Sequence, residues 1–401
     1  MRSIAIVGGG VFGMTAAIEL RERGWTVWVV DRASVPAANA ASTDISKVVR
    51  SDYGADELYS DMADAALHLW NRWNARWPDP LYHEDGFLVL AGDAMRPGEF
   101  EYESFTLLAK RGHAVERLDP RSRSLRFPAW SMDRYPDGYL NRRAGWVESG
   151  KVVARLTESA RARGVRLLEH TQFADLLETG SSVTGVRTTN GDELRTDMVL
   201  VAAGAWTPTL LPYLSEVMWT TGQPVLHFAV GDPKRWCAPR FPVWAADIGR
   251  TGWYGFPALA DGTLKIGHHA AGRRIHPDDP RTVLPGEEAA FQQFLRESLP
   301  DLAGAPVTTR RLCLYCDTFD GDFWIDRDPD RPGLVVAAGD SGHGFKFAPI
   351  LGAIIADIVE EKPNAFANRF AWRVRERDSK EAARAIIPSD EPGRQQPGSF
   401  S

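Results

Sequence analysis

The chain is poor in cysteine. Only three of its 401 residues are cysteines, Cys237, Cys313 and Cys316, which is too few for a disulfide framework in a chain of this length. Cys313 and Cys316 form the pattern C-x-x-C, but no second pair, histidine cluster or thioredoxin-like unit accompanies them. We therefore predict no metal site, and the pattern alone is typical of two small buried side chains.

Long runs of one residue character are also missing. There is no sustained lysine or arginine run and the net charge is -6, which argues against nucleic acid or an anionic membrane as a partner. No apolar run approaches the length of a bilayer span, and the residues after Met1 do not have the order of a secretion signal. With the low cysteine content, these absences predict a cytoplasmic protein without nucleic-acid or membrane partners.

The sequence does contain an alternation of strands and helices. The N-terminus reads as strand, glycine-rich turn, helix and strand in "IAIV", "GGGVFG", "MTAAIELRERG" and "TVWVVD". Similar apolar strands return at "DMVLVAAGA" and "GLVVAAG", which predicts a parallel sheet with crossover helices. Residues 222–325 instead alternate short apolar runs with turns, and this pattern favours antiparallel strands.

We therefore predict an α/β (α+β) fold of two domains, which is reasonable for a chain of this length. A Rossmann-like nucleotide-binding domain comprises residues 1–81, 147–221 and 326–387. A discontinuous antiparallel-sheet substrate domain comprises residues 82–146 and 222–325. The tail 388–401 is rich in proline, glycine and serine and is expected to be disordered.

The first turn carries a dinucleotide-binding pattern. Gly8, Gly10 and Gly13 form G-x-G-x-x-G between a strand and a helix, and Asp31 ends the next strand. The glycines permit a tight turn, close approach to a pyrophosphate and close helix packing, while the acid suits a ribose hydroxyl. FAD and NAD share this pattern, so the turn does not choose between them.

Two further stretches are candidates for a site. In "TLKIGHHA", period-two alternation places Lys265, Gly267 and His269 on one face of a strand, where they form either a pocket floor or an ordinary solvated face. In "GDSGHGFKFAP", residues 339–349, glycines lie between an apolar strand and a helix, where amides can meet an anion or a polarised ring edge. An ordinary turn before a helix is the alternative interpretation.

These motifs together resemble a known family. The order of "GGGVFG", "DISKVVRSDYG", "WYGFP", "LKIGHH", "CLYCDTFDGDFWIDRDP" and "GLVVAAGDSGHGFKFAP" is similar to the monomeric sarcosine oxidase group of the D-amino-acid-oxidase-like FAD superfamily. The resemblance covers residues 3 to 360. It implies FAD rather than NAD, a two-domain monomer, and oxidation of a secondary amine next to a carboxylate with O2 as the electron acceptor.

The resemblance also implies roles for individual residues. Lys265 matches the lysine that promotes flavin reoxidation, and Arg50 with Lys346 matches the pair that holds the substrate carboxylate. Cys313 matches the position of a covalent thioether to the flavin 8α carbon. The expected catalytic and substrate residues are Lys265, His269, Tyr254, Arg50, Lys346 and Tyr315. The expected cofactor-binding residues are Gly8, Gly10, Gly13, Asp31, Arg32, Ser42, Ser46, Lys47, Phe173, Ala203, Gly204, Trp206, Cys313, Gly342, Gly344, Phe345 and Lys346.

The chain departs from the family pattern at several positions. Lys47 replaces the usual arginine, Ser42 and Thr43 replace histidines, and the small Ala245 predicts a larger pocket than N-methylglycine needs. We therefore expect an N-substituted or cyclic secondary α-amino acid as the substrate, with a fructosyl-amino-acid oxidase as the alternative. The same motifs also fit a flavin amine dehydrogenase with another electron acceptor, or a non-catalytic flavoprotein that senses a ligand.

Overall fold

The computed structural model describes residues 2–375, 378 and 384. The tail 388–401, expected to be disordered, lies outside the described residues. The strands are β1 (Ser3–Val7), β2 (Thr26–Val30), β3 (Lys47–Val49), β4 (Tyr82–His83), β5 (Phe87–Ala91), β6 (Val115–Arg117), β7 (Asp137–Asn141), β8 (Gly145–Val147), β9 (Arg166–Leu168), β10 (Phe173–Thr179), β11 (Ser182–Thr188), β12 (Glu193–Arg195), β13 (Met198–Val201), β14 (Met218–Ala229), β15 (Val243–Ala246), β16 (Trp253–Gly255), β17 (Thr263–His268), β18 (Arg273–Arg274), β19 (Val307–Thr318), β20 (Trp324–Arg327) and β21 (Leu334–Ala338).

The α-helices are α1 (Val11–Glu22), α2 (Glu57–Asn74), α3 (Phe100–Lys110), α4 (Pro120–Arg126), α5 (Ser149–Ala162), α6 (Thr207–Leu210), α7 (Ile248–Thr251), α8 (Pro285–Ser298), α9 (Ala348–Val359) and α10 (Ala367–Phe370). Short 3-10 helices occupy Met132–Arg134, Gly204–Trp206, Pro212–Leu214, Pro233–Trp236, Pro300–Leu302 and Phe345–Phe347. Within the described part of the chain, no helix is both long and apolar enough to cross a membrane.

A six-stranded sheet forms the centre of one large part of the fold. Its strand order is β20-β21-β13-β1-β2-β9, with parallel pairing except between β20 and β21. Along β1, Ile4 and Ile6 face a core that includes α1, α5 and α9, while Ala5 and Val7 face a core shared with β10 and β11. Because both faces are covered, these strands read as continuous apolar runs rather than as alternating ones.

Glycines allow the elements around β1 to approach closely. Gly8 has a φ of +107°, and a side chain there would press against the Ala202 carbonyl oxygen at 2.5 Å. A side chain at Gly13 would overlap the carbonyl oxygen of Gly8, and one at Gly352 would lie 2.5 Å from the Thr15 carbonyl oxygen. The turn before α1 and the crossing of α1 with α9 therefore both depend on the absence of a Cβ atom.

A nine-stranded sheet forms the centre of the other large part of the fold. Eight strands follow the order β18-β14-β17-β16-β15-β5-β7-β6, and β19 pairs with β14. The pairing is antiparallel as predicted, except that β15 and β5 are parallel, which is a correction to the sequence-based expectation. One face packs on α8 through Leu264, Ile266 and Phe291. The other face carries Lys265 and Tyr254, whose side chains lie at a cavity described below.

The expected domain boundaries can be compared with these sheets. The boundary at 221/222 lies inside β14 and that at 325/326 lies inside β20. Strand β4 belongs to a segment expected in the substrate domain. It pairs with β8, which also pairs with β3, in a separate three-stranded sheet of order β3-β8-β4. The assignment of the segments to two domains stays a prediction.

The glycine turn gives a testable prediction about stability. Gly13→Ala should lower the free energy of unfolding of the ligand-free protein by about 2 kcal/mol, because the new methyl group overlaps the Gly8 carbonyl oxygen. Gly10→Ala is the matched control, since its Cβ would only approach the Ser42 Oγ at 3.4 Å. Urea unfolding measures both, and equal stabilities for the two variants would contradict the packing role of Gly13.

Candidate active site

Two cavities meet between the six-stranded and nine-stranded sheets. We call the one against the turn Gly8–Gly10 the nucleotide cavity, and the one lined by Lys47, Arg50, Lys265 and Lys346 the basic cavity. Most expected cofactor-binding residues line the nucleotide cavity, namely Gly8, Gly10, Asp31, Arg32, Ser42, Lys47, Phe173, Ala203, Gly204, Trp206, Gly342 and Phe345. All six expected catalytic and substrate residues line the basic cavity, namely Lys265, His269, Tyr254, Arg50, Lys346 and Tyr315.

Four residues belong to the walls of both cavities: Lys47, Tyr315, Gly342 and Phe345. Gly342 has a φ of +79°, and a Cβ atom there would overlap the ring of Tyr315. The glycine is therefore needed both for the backbone conformation and for the contact with Tyr315. The stretch "GDSGHGFKFAP" thus forms the junction between the two cavities.

The nucleotide cavity fits a dinucleotide such as FAD. Gly10 is the N-cap of α1 and contributes no side-chain cap, so the helix N-terminus faces the cavity with its amides. Each oxygen of Asp31 accepts one backbone hydrogen bond, from Gly9 N at 2.7 Å and from Ala33 N at 2.9 Å. A carboxylate oxygen accepts more than one hydrogen bond, so Asp31 can also receive a ribose hydroxyl.

Four expected cofactor-binding residues lie behind the cavity walls instead, and Lys346 lines only the basic cavity. Gly13 packs against Gly8, and Gly344 packs against Phe12. The carbonyl oxygen of Ser46 accepts a hydrogen bond from Lys265 at 2.6 Å. These residues are not among those that line the nucleotide cavity, and their part in cofactor binding stays a prediction.

Cys313 is the fourth of these residues. It is only 3% exposed and packs with Val225, Tyr315 and Ala41. Ala41 in turn lines the nucleotide cavity. Cys313 thus belongs to a cluster that contributes Ala41 and Tyr315 to the cavity lining, and its bond to a flavin stays a prediction.

Lys265 forms a buried ion pair with Asp44. The Lys265 Nζ lies 2.6 Å from the Asp44 Oδ2, and both side chains are 2% exposed. Burial lowers the pKa of Lys265 to about 8, although Asp44 acts to raise it. Burial alone would raise the pKa of Asp44, but the Lys265 ammonium and a hydrogen bond from His227 hold it well below its usual range. The solvated alternative for Lys265 is thus wrong, because the side chain is buried.

Aromatic hydroxyls lie next to this lysine. The side chain of Tyr254 forms a hydrogen bond with Tyr315, and burial raises the pKa of both phenols. A Cβ atom at Gly267 would overlap the Tyr254 ring, so the gap in the lysine strand makes room for that ring. The His269 ring lies 5.7 Å from the Tyr315 ring, measured between centroids. Both tyrosines therefore remain protonated, and since one hydroxyl of the pair donates to the other, one O–H is left to donate to a ligand.

Arg50 and Lys346 form the other side of the basic cavity. The Arg50 guanidinium carbon lies 4.9 Å from the centre of the Tyr53 ring. The Lys346 Nζ donates hydrogen bonds to the Tyr53 hydroxyl at 2.9 Å and to the His343 carbonyl oxygen at 2.7 Å. One segment, residues 50–53, thus supplies one cation and orients the other. A guanidinium and an ammonium on one wall suit an anionic group such as a carboxylate.

Ala245 does not line the basic cavity. Ala245 is fully buried in a core with Phe87 and Val89. Trp244, and not Ala245, is among the residues that line the basic cavity. The size of this cavity therefore does not follow from the small side chain at position 245.

Sequence reasoning missed several residues of the site. Asp44 and His227 complete the environment of Lys265, with the His227 Nε2 at 3.4 Å from the Asp44 Oδ1. Arg384 donates to both oxygens of Asp317 at 2.6 Å and to the Ala270 carbonyl oxygen at 2.9 Å, next to His269. Asp44 lies three residues before Lys47 in the sequence, and this acid was a signal for the contact with Lys265. No local pattern marks His227 or Arg384.

Asp340 is a further acid at the nucleotide cavity. Burial raises its pKa to about 6 from the ordinary 3.8, while Lys47 acts to lower it. Within the described residues, no group of histidine, cysteine or acidic side chains is arranged to hold a metal ion. The raised pKa makes Asp340 an acid of the nucleotide cavity whose charge changes near pH 6.

This pKa predicts a pH effect on stability. Because the folded protein binds the Asp340 proton more tightly than the unfolded chain does, stability from this group increases as the pH falls from 8 to 5, by about 1 kcal/mol. Asp340→Asn should remove that part of the pH dependence. Urea unfolding of the flavin-free wild type and variant at both pH values measures the difference. An unchanged pH dependence would contradict a raised pKa.

Known proteins resemble this chain along most of its length. A family model described as "DAO: FAD dependent oxidoreductase" matches residues 3–358. Monomeric sarcosine oxidase from a Bacillus species is 28% identical over 362 residues, covering 88% of this chain and 91% of the relative. N-methyl-L-tryptophan oxidase from Citrobacter koseri is 29% identical over 378 residues, covering 90% and 96%.

Solved structures give the same result for the fold. Fructosamine oxidase (Amadoriase II) from Aspergillus fumigatus superposes with a TM-score of 0.79 at 25% identity, covering 96% of this chain and 94% of that one. The expected fold class, the FAD dependence and the resemblance to the sarcosine oxidase group are confirmed. The chain belongs to the DAO family of FAD-dependent oxidoreductases.

Proposed function

We propose that the protein is an FAD-dependent oxidase that oxidises the C–N bond of an N-substituted or cyclic secondary α-amino acid and reduces O2 to hydrogen peroxide. One observation carries the proposal: two cations suited to a carboxylate, Arg50 and Lys346, line a cavity together with the buried Lys265, and this cavity shares part of its wall with the nucleotide cavity. The relatives support the substrate class. Sarcosine and N-methyl-L-tryptophan, for which two of them are named, are both N-methylated α-amino acids.

Arg50 and Lys346 would orient the substrate through its carboxylate. Arginine offers a two-pronged match to the two carboxylate oxygens, and lysine adds a point charge. The hydrogen-bonded pair Tyr254 and Tyr315 would have one O–H to donate to the substrate, since burial raises the pKa of both phenols. The amine carbon is then directed toward the junction formed by Gly342 and Phe345. If the amine binds without its proton, hydride transfer needs no general base, and His269 would orient the amine.

Bound FAD supplies the chemistry of accepting a hydride and passing electrons to O2. The residues that would hold it are those of the nucleotide cavity, with the α1 N-terminus at the pyrophosphate and Asp31 at the ribose. Lys265 would stabilise the negative charge that develops on O2. Asp44 keeps a counter-charge within 2.6 Å of that lysine, so the buried ammonium retains its proton to a higher pH than burial alone would allow.

We further propose a covalent flavin on Cys313 and a cytoplasmic monomer. Cys313 packs in one cluster with Ala41 and Tyr315, both of which line the nucleotide cavity, and this neighbourhood supports the proposed bond. The low cysteine content supports a reducing compartment. The monomeric state is proposed from the likeness to the sarcosine oxidase group.

The structural likeness to fructosamine oxidase favours a second candidate substrate class, fructosyl amino acids. Anaerobic addition of N-methyl, cyclic and fructosyl amino acids to the purified flavoprotein distinguishes the two classes, because a substrate bleaches the flavin absorbance. We expect bleaching by an N-substituted α-amino acid, followed by peroxide formation when O2 is admitted. Reduction that only a dye acceptor reverses would indicate a dehydrogenase, and spectral shifts without bleaching by any compound would indicate a ligand sensor.

Lys265→Met tests the role of the buried cation. The rate of flavin reoxidation by O2 should fall by about 10²-fold to 10³-fold, while anaerobic reduction by substrate changes much less. Because Lys265→Met leaves Asp44 without its counter-charge, the double variant Asp44→Asn/Lys265→Met is measured alongside it. Lys110→Met, at an exposed lysine, is the matched control. Unchanged reoxidation in stopped-flow measurements would rule out this role.

Acid precipitation tests the covalent link. The flavin absorbance should remain in the protein pellet of the wild type and move to the supernatant in Cys313→Ser. Cys316→Ser is the matched control, because Cys316 is equally buried but packs in a different core, beside Met218. Release of the wild-type flavin into the supernatant would refute the covalent bond and leave the remainder of the proposal intact.

A further inference from the structure

His343 lies in the middle of "GDSGHGFKFAP" and is not part of the proposed chemistry. Its side chain is buried, with the residue 5% exposed. The ring lies among aromatic side chains, with ring centroids 4.8 Å from Phe323 and 5.1 Å from Tyr59. A polar ring in such a place needs hydrogen-bond partners.

Both ring nitrogens of His343 have partners. The Nε2 lies 3.1 Å from the Gly321 carbonyl oxygen, and the Nδ1 lies 3.0 Å from the Tyr53 hydroxyl oxygen. A carbonyl oxygen only accepts, so the Nε2 must carry a proton. In the neutral ring the Nδ1 is then an acceptor, and the Tyr53 hydroxyl donates to it. The contacts therefore select one tautomer of His343.

The direction of this hydrogen bond determines what Tyr53 offers to Lys346. With its proton directed to His343, the Tyr53 oxygen presents lone pairs to the Lys346 ammonium, which donates to it at 2.9 Å. The same ammonium donates to the His343 carbonyl oxygen at 2.7 Å. A further proton on the His343 Nδ1 would reverse the hydrogen bond between Tyr53 and His343. It would also place a second positive charge beside Lys346. The neutral tautomer is thus the one that agrees with a charged Lys346.

The far end of the chain of hydrogen bonds is anchored. Gly321 lies in a turn between Asp320 and Asp322, and these acids form ion pairs at 2.6 Å with Arg373 and Arg369. The turn that accepts from His343 is therefore tied to the segment after α9. The hydrogen bonds run from Lys346 to Tyr53, from Tyr53 to His343 and from His343 to the Gly321 turn.

We propose that Tyr53 and His343 are positioning residues that orient the Lys346 ammonium for the substrate carboxylate. The inference rests on the proposed function, because it assigns the carboxylate to Lys346. Tyr53 and His343 act through Lys346 rather than on the reacting atoms. An ammonium held by two hydrogen bonds keeps one orientation, so binding loses less side-chain entropy than with a mobile lysine.

The first experiment measures anion binding to the flavin-loaded protein. Acetate is the probe and acetamide its neutral counterpart, and the flavin absorbance reports both. Tyr53→Phe should weaken acetate binding roughly tenfold and leave acetamide binding unchanged, because one hydrogen bond to a charged group is removed. Tyr59→Phe is the matched control, since this ring stacks on Tyr53 at 4.9 Å and its loss of a hydroxyl does not touch Lys346.

The second experiment separates positioning from simple structural support. His343→Asn keeps an acceptor for the Tyr53 hydroxyl and should bind acetate more tightly than His343→Leu does. With the substrate found in the anaerobic panel, KM should increase about tenfold in Tyr53→Phe while kcat changes less. Nitrogen-15 NMR of labelled histidine, assigned by the signal lost in His343→Asn, should report the neutral Nε2–H tautomer.

The outcomes test the carboxylate site and the positioning role of Tyr53 and His343 separately. If Lys346→Met binds acetate no differently from the wild type, the carboxylate site is wrong and the proposed function is overturned with it. If Lys346→Met weakens acetate binding but Tyr53→Phe does not, the site stands and the positioning inference is overturned. A protonated Nδ1 on His343 would also overturn the inference. Weaker acetate binding in both Lys346→Met and Tyr53→Phe, together with the neutral Nε2–H tautomer of His343, supports it.

Discussion

The buried ion pair between Asp44 and Lys265 is the interaction on which the arrangement of the site depends. Lys265 belongs to β17 of the nine-stranded sheet and Asp44 to the segment before β3, so the pair ties this sheet to the segment that leads into the three-stranded sheet. A buried ammonium without a counter-charge costs several kcal/mol. The Asp44 carbonyl oxygen also accepts from Gly150 N and Ser149 Oγ, both at 2.8 Å. The loop that lines the nucleotide cavity is therefore held from both sides.

Close backbone approach is the second constraint. Tyr315 lies against Gly342, and Tyr254 lies against Gly267, each at a place where a Cβ atom would overlap the ring. The first contact brings Tyr315 of β19 to the wall shared by the two cavities, and the second places Tyr254 of β16 in the lining of the basic cavity. Packing at this wall, rather than any single residue, makes the nucleotide cavity and the basic cavity adjacent.

The cations of the basic cavity are stabilised in different ways. Lys265 has a carboxylate within 2.6 Å. Arg50 acts on the buried Asp52, whose pKa is raised by burial although Arg50 lowers it. Lys346 donates to the Tyr53 hydroxyl and to the His343 carbonyl oxygen, and these two bonds orient its ammonium. The different surroundings of the three cations suit separate roles in the site.

The sequence by itself determined the nucleotide-binding turn, the acid that ends β2 and the face of β17 that carries Lys265. These features depend on local spacing: glycine where a Cβ atom has no room, and alternation along a strand. Tertiary structure decided the partners of these residues, since Lys265 meets a backbone oxygen 219 positions away and Tyr53 meets His343 across 290 positions. It also decided the parallel pairing of β15 with β5 and the exclusion of Ala245 from the cavity lining. No local pattern encodes such contacts, because they arise only when segments distant in the chain pack together and buried polar groups must find partners.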